Sequence, residues 1–343
     1  MIDKVATNYT LLSGYENIDR EKWEVFVESH PKGTIFQTPD YYELHAATKG
    51  YRPQVIAAFD EQNEMAGILV AIAGSVYPGI LSYLTSRAIV CGGPLVENDN
   101  ADIASLILET YMTVMRHRVI YSQFRNLHDT TVVRSVFDKI KAAYEEHLNI
   151  LIDLRKTEEE LWKDVKSRKR NNIRQAQRKG LSIRELVSLD EVSESYSVLE
   201  EVYHRAKLPL ADKSLFMNAF EILGKKGYLK FYGTFLGETL VGTMYIFTYN
   251  SRFYDWYAGS FKQYYSYNPN DILPWKIFLS GKNAGFEIFD FGGAGKPGVP
   301  YGVRDYKIQF GGEMVNFGRY EVAHNRLVLA CMQLAFKVWR RLH

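Results

Sequence analysis

Apolar and polar positions alternate in two separate blocks of this chain. Val55 to Ala73 reads as a strand, a polar turn (Asp60, Glu61, Gln62, Asn63, Glu64) and a second strand. Lys230 to Thr248 reads the same way around Gly237 and Glu238. In both hairpins a glycine, Gly67 or Gly242, enters the second strand. A helical period of 3.6 precedes each hairpin twice, over Asp19 to Ser29 and Pro39 to Thr48, then over Asp190 to Arg205 and Lys213 to Leu223. A strand, a helix and a strand follow each hairpin. These are Ser82 to Val90, Ala101 to Arg116 and Val119 to Asn126 in the first block, and Arg252 to Gly259, Ile272 to Asn283 and Phe286 to Phe291 in the second. Corresponding elements are offset by roughly 170 residues, too long for a solenoid period and right for a duplicated domain. A helical crossover between strands calls for a parallel pair, so the pattern predicts an α/β protein with mixed sheets. Residues 1–150 and 151–315 form the expected domains, with 316–343 returning to complete the first. Glu321 to Arg341 is expected to be one helix.

Composition narrows the class. A chain of 343 residues exceeds what one core serves, and 46% apolar with 14% aromatic residues supplies two. Two cysteines, Cys91 and Cys331, argue against a disulfide framework and suit a reducing cytoplasm. The first residues lack the apolar region of a secretory signal. The longest apolar run, Leu327 to Trp339, is interrupted by Gln333 and Lys337 and is shorter than the roughly 20 residues of a membrane span. A cytoplasmic protein is expected. The cations Lys337, Arg340 and Arg341 leave open a peripheral contact with anionic lipid at the inner face of the membrane. The eight His residues show no HExxH or paired Cys/His spacing, so no metal is expected, and no G-x-S-x-G elbow, P-loop or Rossmann fingerprint occurs.

Charge adds a candidate binding surface. The net charge is only +2, with 42 basic against 40 acidic residues, yet Lys166 to Lys179 holds seven cations and no acid. As a helix, this stretch lines Arg170, Arg174 and Arg178 along one face while Trp162, Val165, Ile173 and Ala176 face a core. Gly180 follows as the C′ residue. Stacked arginines repel, and phosphate oxygens relieve that repulsion, which makes Lys166, Arg168, Lys169, Arg170 and Arg174 candidate contacts to an RNA backbone. A plain solvated face is the competing reading.

The motifs SRKRNNIRQAQRKGL at 167–181, FDFGG at 289–293 and YGVRDYKIQFGG at 301–312 resemble those of the FemAB and FemX family of non-ribosomal peptidyltransferases, and FQTPDYY at 36–42 resembles its first-domain motif. The resemblance implies two tandem GNAT-like acyltransferase domains in which two central parallel strands splay apart around the reacting groups. Lacking heptads, the chain resembles the compact members without a coiled-coil arm. By resemblance, Lys307 is the catalytic lysine, with Tyr306 beside it where the family has Phe. Arg205 matches a substrate-phosphate arginine, Gln37 belongs to the first-domain substrate motif, and Tyr254 and Trp256 match substrate-channel aromatics, alternating with Tyr257 along a strand. The chain departs from the family in two places. The next Lys after Gln37 is Lys49, and the strand after Val119 ends in Arg125 and Asn126 where cell-wall members carry an aspartate. Asp129 follows, as a displaced base or as a turn residue.

Neither half carries the Q/R-x-x-G-x-G/A turn that cradles the pyrophosphate of acetyl-CoA; they read Cys91, Gly92, Gly93, Pro94 and Ser260, Phe261, Lys262, Gln263. No cofactor is therefore expected. The resulting expectation is an aminoacyltransferase with aminoacyl-tRNA as donor and a cell-wall precursor peptide or other amine as acceptor, with no role for DNA. Two alternatives stand beside it: an acyl-CoA-dependent N-acyltransferase acting on a sugar amine or polysaccharide precursor, and a non-catalytic RNA-binding protein.

Overall fold

The computed structural model describes residues 8–75 and 79–332. It divides into two units, Met1–Glu145 with Phe317–His343, and Glu146–Asn316. In the first, β1 (Thr10–Ser13), α1 (Arg20–Ser29) and α2 (Pro39–Ala46) lead into β2 (Tyr51–Phe59) and β3 (Met65–Ser75). Then come β4 (Ser86–Cys91), β5 (Leu95–Val96), α3 (Ala101–Met115), β6 (Tyr121–Arg125), α4 (Arg134–Lys139) and β7 (Ala143–Glu145). The second unit opens with β8 (Leu148–Asp153), α5 (Glu158–Asp164), α6 (Ser167–Arg178), β9 (Leu181–Glu185), α7 (Leu189–Ala206) and α8 (Lys213–Ala219). It continues with β10 (Leu229–Leu236), β11 (Thr239–Tyr249), β12 (Arg252–Ser260), α9 (Pro269–Asn283), β13 (Ile288–Gly293), α10 (Gly302–Lys307) and β14 (Glu313–Asn316). Strand β15 (Arg319–Ala323) returns to the first sheet.

Local sequence explains the helix ends. The Asp19 carboxylate accepts from the amides of Glu21 and Lys22 at the start of α1, and Ser188 with Glu191 forms a capping box on α7. Gly180, at φ +80°, follows α6 as the sequence predicts.

The first sheet runs β1-β2-β3-β4-β6-β15-β7 and the second β9-β10-β11-β12-β13-β8-β14. Pairing is antiparallel along both paths except at β4–β6 and β12–β13, which are parallel. The same path therefore occurs twice. The sixth strand of each is exchanged, because β8 directly follows β7 in the chain but pairs with β13 and β14, while β15 directly follows β14 but pairs with β6 and β7. One apolar cluster fills each unit. In the first, Ile103, Ile107, Leu108 and Tyr111 of α3 pack on Ile56, Leu69, Val90 and Phe124. Gly67 permits the close approach, since a Cβ there would meet Ile107 at 2.9 Å. In the second, Leu161, Ile173, Ala176, Ile272 and Phe278 pack on Ile246, Phe253 and Phe289.

Two predicted elements change. The strand expected from Ser82 starts at Ser86, after a 3₁₀ segment, Gly79–Thr85. The helix expected from Glu321 gives way to β15 through Ala323, because that segment supplies a ladder partner for β6; helix begins at Arg326. Lys337, Arg340 and Arg341 lie outside the described residues. Among the described residues, no helix is long and apolar enough to cross a membrane.

Candidate active site at an opened parallel strand pair

The parallel strands of the second unit are paired only from Arg252 and Ile288 to Tyr254 and Asp290, although β12 continues to Ser260 and β13 to Gly293. A register shift explains the parting. Tyr245 faces Tyr257 while Ile246 faces Asp255, so Trp256 is an extra residue on β12, and a bulge bends the strand just past its last parallel partner. Strand β13 also shifts register, between Asp290 and Gly293, where Gly292 takes φ +67°.

Unpaired strand leaves backbone polar groups that need partners. Lys307, at the end of α10, supplies two: its Nζ donates to the Phe291 carbonyl at 2.5 Å and the Gly293 carbonyl at 3.3 Å. The Gly292 amide donates to the Asp290 carboxylate at 2.6 Å, and Asn149 Nδ2 approaches both oxygens of Asp290 at 3.3 Å. The Asp255 carboxylate lies 3.9 Å from Lys307 Nζ. Burial raises its pKa to about 6, against the pull of Lys307 and with a push from Asp290. Burial likewise raises Asp290, opposed by its hydrogen bonds. Tyr203 senses the same charge: burial, then Asp255, raises its phenol to about 12. The arrangement holds an ammonium with one N–H uncommitted beside a carboxyl that titrates close to neutrality.

Lys307 therefore lies at the opening, as the last residue of a short helix. Tyr306, its neighbour, turns elsewhere. Its hydroxyl donates to the Asn270 carbonyl, and its ring carries the Lys169 ammonium 4.0 Å from the centroid. Lys169 is buried and bonds Asp271 at 2.5 Å, with Asn172 holding the second carboxylate oxygen at 2.7 Å. Its assignment to RNA phosphate is thus corrected: among the helix's cations this one faces inward, where Asp271 and two aromatic rings compensate its charge. Arg170 is also redirected. Its Nη1 caps α5 by donating to the carbonyls of Trp162, Lys163 and Val165 at 3.0–3.2 Å. Lys166, Arg168 and Arg174 are exposed, Arg174 over the Trp162 ring at 5.2 Å, and Arg178 joins them.

Arg205 is exposed near the end of α7, bonded to Glu201 at 2.7 Å and stacked 5.3 Å over Tyr265. Tyr265 lines a cleft of about 200 Å³ with Asn268, Pro269, Asn270, Asp271 and Tyr306. Tyr254 is buried opposite Asp290 in the register, and Trp256 packs on Phe216, Phe247 and Tyr257. Trp256 is half-buried, and as the extra residue at the bulge it does not alternate simply with its neighbours. Gln37 changes role as well. It is fully buried, donating to the Gly92 carbonyl at 2.6 Å and accepting from the Thr34 amide and hydroxyl, so its amide joins two loops and has no face for a substrate. Asp129 is a turn residue, lowered in pKa by bonds from the hydroxyl and amide of Thr131.

Nothing in the local sequence marks Asp255, which lies among the aromatics Tyr254, Trp256 and Tyr257. A regular period of 2 gives no reason to aim it at Lys307, and only the bulge does. Asp290 lies inside the FDFGG motif, whose sequence does not itself give it a role.

The helix following β12 bears on the donor. Pro269, at the first helical position of α9, has no N–H, and the Asp271 carboxylate occupies the first turn. The Asp271 amide is itself bonded to the Asn268 carbonyl at 3.1 Å, so few amides are free there for a pyrophosphate.

Residues 167–307 match the family model described as acetyltransferase (GNAT) domain. No curated protein matches the sequence significantly. Solved structures are similar in fold at low identity. FemX aligns with a TM-score of 0.73 at 13% identity, covering 94% of this chain and 99% of that one. L-PGS from Bacillus licheniformis gives 0.59 at 14%, covering 94% and 97%. A tandem GNAT protein from the clavulanic acid biosynthesis pathway gives 0.57 at 11%, covering 92% and 98%. The chain thus has a FemX-like fold of two tandem GNAT-like domains, and its second unit carries an acyltransferase domain of the GNAT type.

Proposed function

We propose that this protein is an aminoacyltransferase that moves an amino acid from aminoacyl-tRNA to an amine acceptor. The observation that carries the reading is the Lys307 ammonium held between two carbonyls at the opened strands, with Asp255 beside it. The acceptor amine attacks the ester carbonyl, a C–N bond forms, and the carbonyl electron pair moves onto oxygen. That oxyanion meets the remaining N–H of Lys307. The nitrogen passes a proton to the Asp255 carboxylate; collapse then breaks the C–O bond, and the departing ribose hydroxylate takes a proton from Asp255. Most of the acceleration comes from holding amine and ester together.

Two features favour tRNA over acyl-CoA as donor. Pro269 lacks an N–H and the Asp271 amide is already bonded, which leaves few amides at the start of α9 for a pyrophosphate, and Lys166, Arg168, Arg174 and Arg178 are exposed for a phosphate backbone. The acceptor is an amine, and the resemblance of the 167–181, 289–293 and 301–312 motifs to those of FemAB and FemX peptidyltransferases favours a cell-wall precursor peptide.

The test is incubation of the purified protein with a mixture of labelled aminoacyl-tRNAs and a cell extract as the source of amines. Label is expected in a small product, and RNase treatment of the donor should abolish it. Transfer from acyl-CoA with none from charged tRNA would overturn the donor assignment. RNA binding that falls steeply with salt, without transfer from either donor, would leave a binding protein.

A further inference from the structure

The first unit holds a charge cluster that the transfer reading does not use. Strands β4, β6 and β15 are neighbours, and their register sets Cys91 beside Arg125 and Arg125 directly opposite Arg319. Along β6, Ser122 and Phe124 are buried, while Tyr121, Gln123 and Arg125 share the other, half-buried face. Two guanidinium groups opposite each other on an antiparallel pair repel. Burial, and then Arg125, lowers the Arg319 pKa to about 10.

The compensation they receive from the fold is indirect. Arg125 donates from Nε to Gln123 at 2.8 Å, which orients the guanidinium and leaves its Nη donors available. Among the described residues, neither arginine has a carboxylate within ion-pair distance, and the Arg319 guanidinium has no hydrogen-bond partner. Glu321, two positions along β15, accepts from Gln123 at 2.7 Å, and Glu145 faces Arg319 in the register; both act on Arg319 only through space. Burial raises the Cys91 thiol more than the two arginines lower it, so the thiol stays neutral and is no counter-ion.

The geometry points to an anion site in which Arg125 and Arg319 together hold a doubly charged oxyanion, a phosphoryl group of a ligand. A carboxylate neutralises one of the two cations; a phosphoryl dianion meets both and offers oxygens to two planar donor forks. The site is independent of the transfer chemistry and involves neither Lys307 nor Asp255.

The experiment is calorimetric titration of the full chain with inorganic phosphate and, separately, acetate, at constant ionic strength. Wild type, Arg125→Gln, Arg319→Gln and Arg319→Lys are compared. Wild type is expected to bind one phosphate saturably and acetate more weakly. Each Gln variant should lose roughly tenfold to a hundredfold in affinity, with part restored in Arg319→Lys. Without phosphate, Arg319→Gln should melt no lower than wild type, because repulsion has been removed. Absence of saturable phosphate binding by wild type overturns the assignment. So does binding that survives both Gln substitutions, which would belong to the exposed cations of α6, or acetate binding as tight as phosphate. Should Arg319→Gln fail to fold, Arg125→Gln and the wild-type titrations decide alone.

Discussion

In the first unit the parallel strands β4 and β6 stay in register from Arg87 and Tyr121 to Cys91 and Arg125, and the Gly92 amide extends the contact by donating to the Arg125 carbonyl at 2.9 Å. In the second, β12 and β13 part after Tyr254 and Asp290. Both pairs occupy the same place in the same strand path, so topology does not account for the difference. The extra residue on β12 does: β3 and β4 pair without a shift, whereas β11 and β12 shift at Tyr245 and Ile246. Opening frees carbonyls on β13, and those carbonyls hold Lys307. The closed pair has its loops tied down instead by the buried amide of Gln37. One duplicated frame thus yields a closed strand pair in one unit and an opened pair in the other, where both strands shift register.

Four substitutions break or sharpen this contrast. The largest effect is expected from Lys169→Met, which strands the buried Asp271 carboxylate and should cost about 3–5 kcal/mol of stability by denaturant melting. An exposed phosphate contact at that position would instead lose RNA affinity and melt normally. Lys307→Ala should lower transfer roughly 10²–10³-fold and, by leaving the Phe291 and Gly293 carbonyls unsatisfied, cost about 1–3 kcal/mol of stability with the circular dichroism spectrum unchanged. Unchanged turnover would remove the functional half of the comparison.

Asp255→Asn comes next, with a loss of roughly 10²-fold in kcat. In wild type, activity should rise with pH through about 6 as Asp255 ionises, and the Asn variant should lack that limb. Stability moves the other way. The folded carboxyl titrates at about 6 against an ordinary 3.8, so the protonated form favours folding. That contribution is complete below about 3.8 and lost as pH rises through about 6, so Asp255→Asn should melt higher than wild type at pH 7 by about 1–3 kcal/mol. Gln37→Ala is the smallest and acts on the closed unit: about 1–3 kcal/mol of stability lost from unsatisfied Thr34 and Gly92 groups, with kcat of the folded fraction unchanged. A fall in kcat with normal melting would restore Gln37 to the substrate.

The order of elements was readable because each half repeats the same periods, caps and turns. Ile173 and Ala176 were placed inward and Gly180 at the helix end from spacing alone, and the structure agrees. Which cation of α6 turns inward was not readable. Lys169 and Arg168 look alike along the chain, and the difference is Asp271, 102 residues away. Likewise, nothing local in Tyr254, Asp255 and Trp256 marks the middle residue as the one that meets Lys307.

Taken by itself, the chain determined its fold class, its duplication and a lysine-bearing motif, because hydrophobic period, turn chemistry and capping act over a few residues and are written where they act. Tertiary structure alone decided the exchange of β8 and β15, the parting of β12 from β13 and the partners of Lys169, Asp255 and Arg319. Those depend on register between distant strands and on charges that meet only after folding, where low-dielectric burial makes each pairing matter more than it would in water.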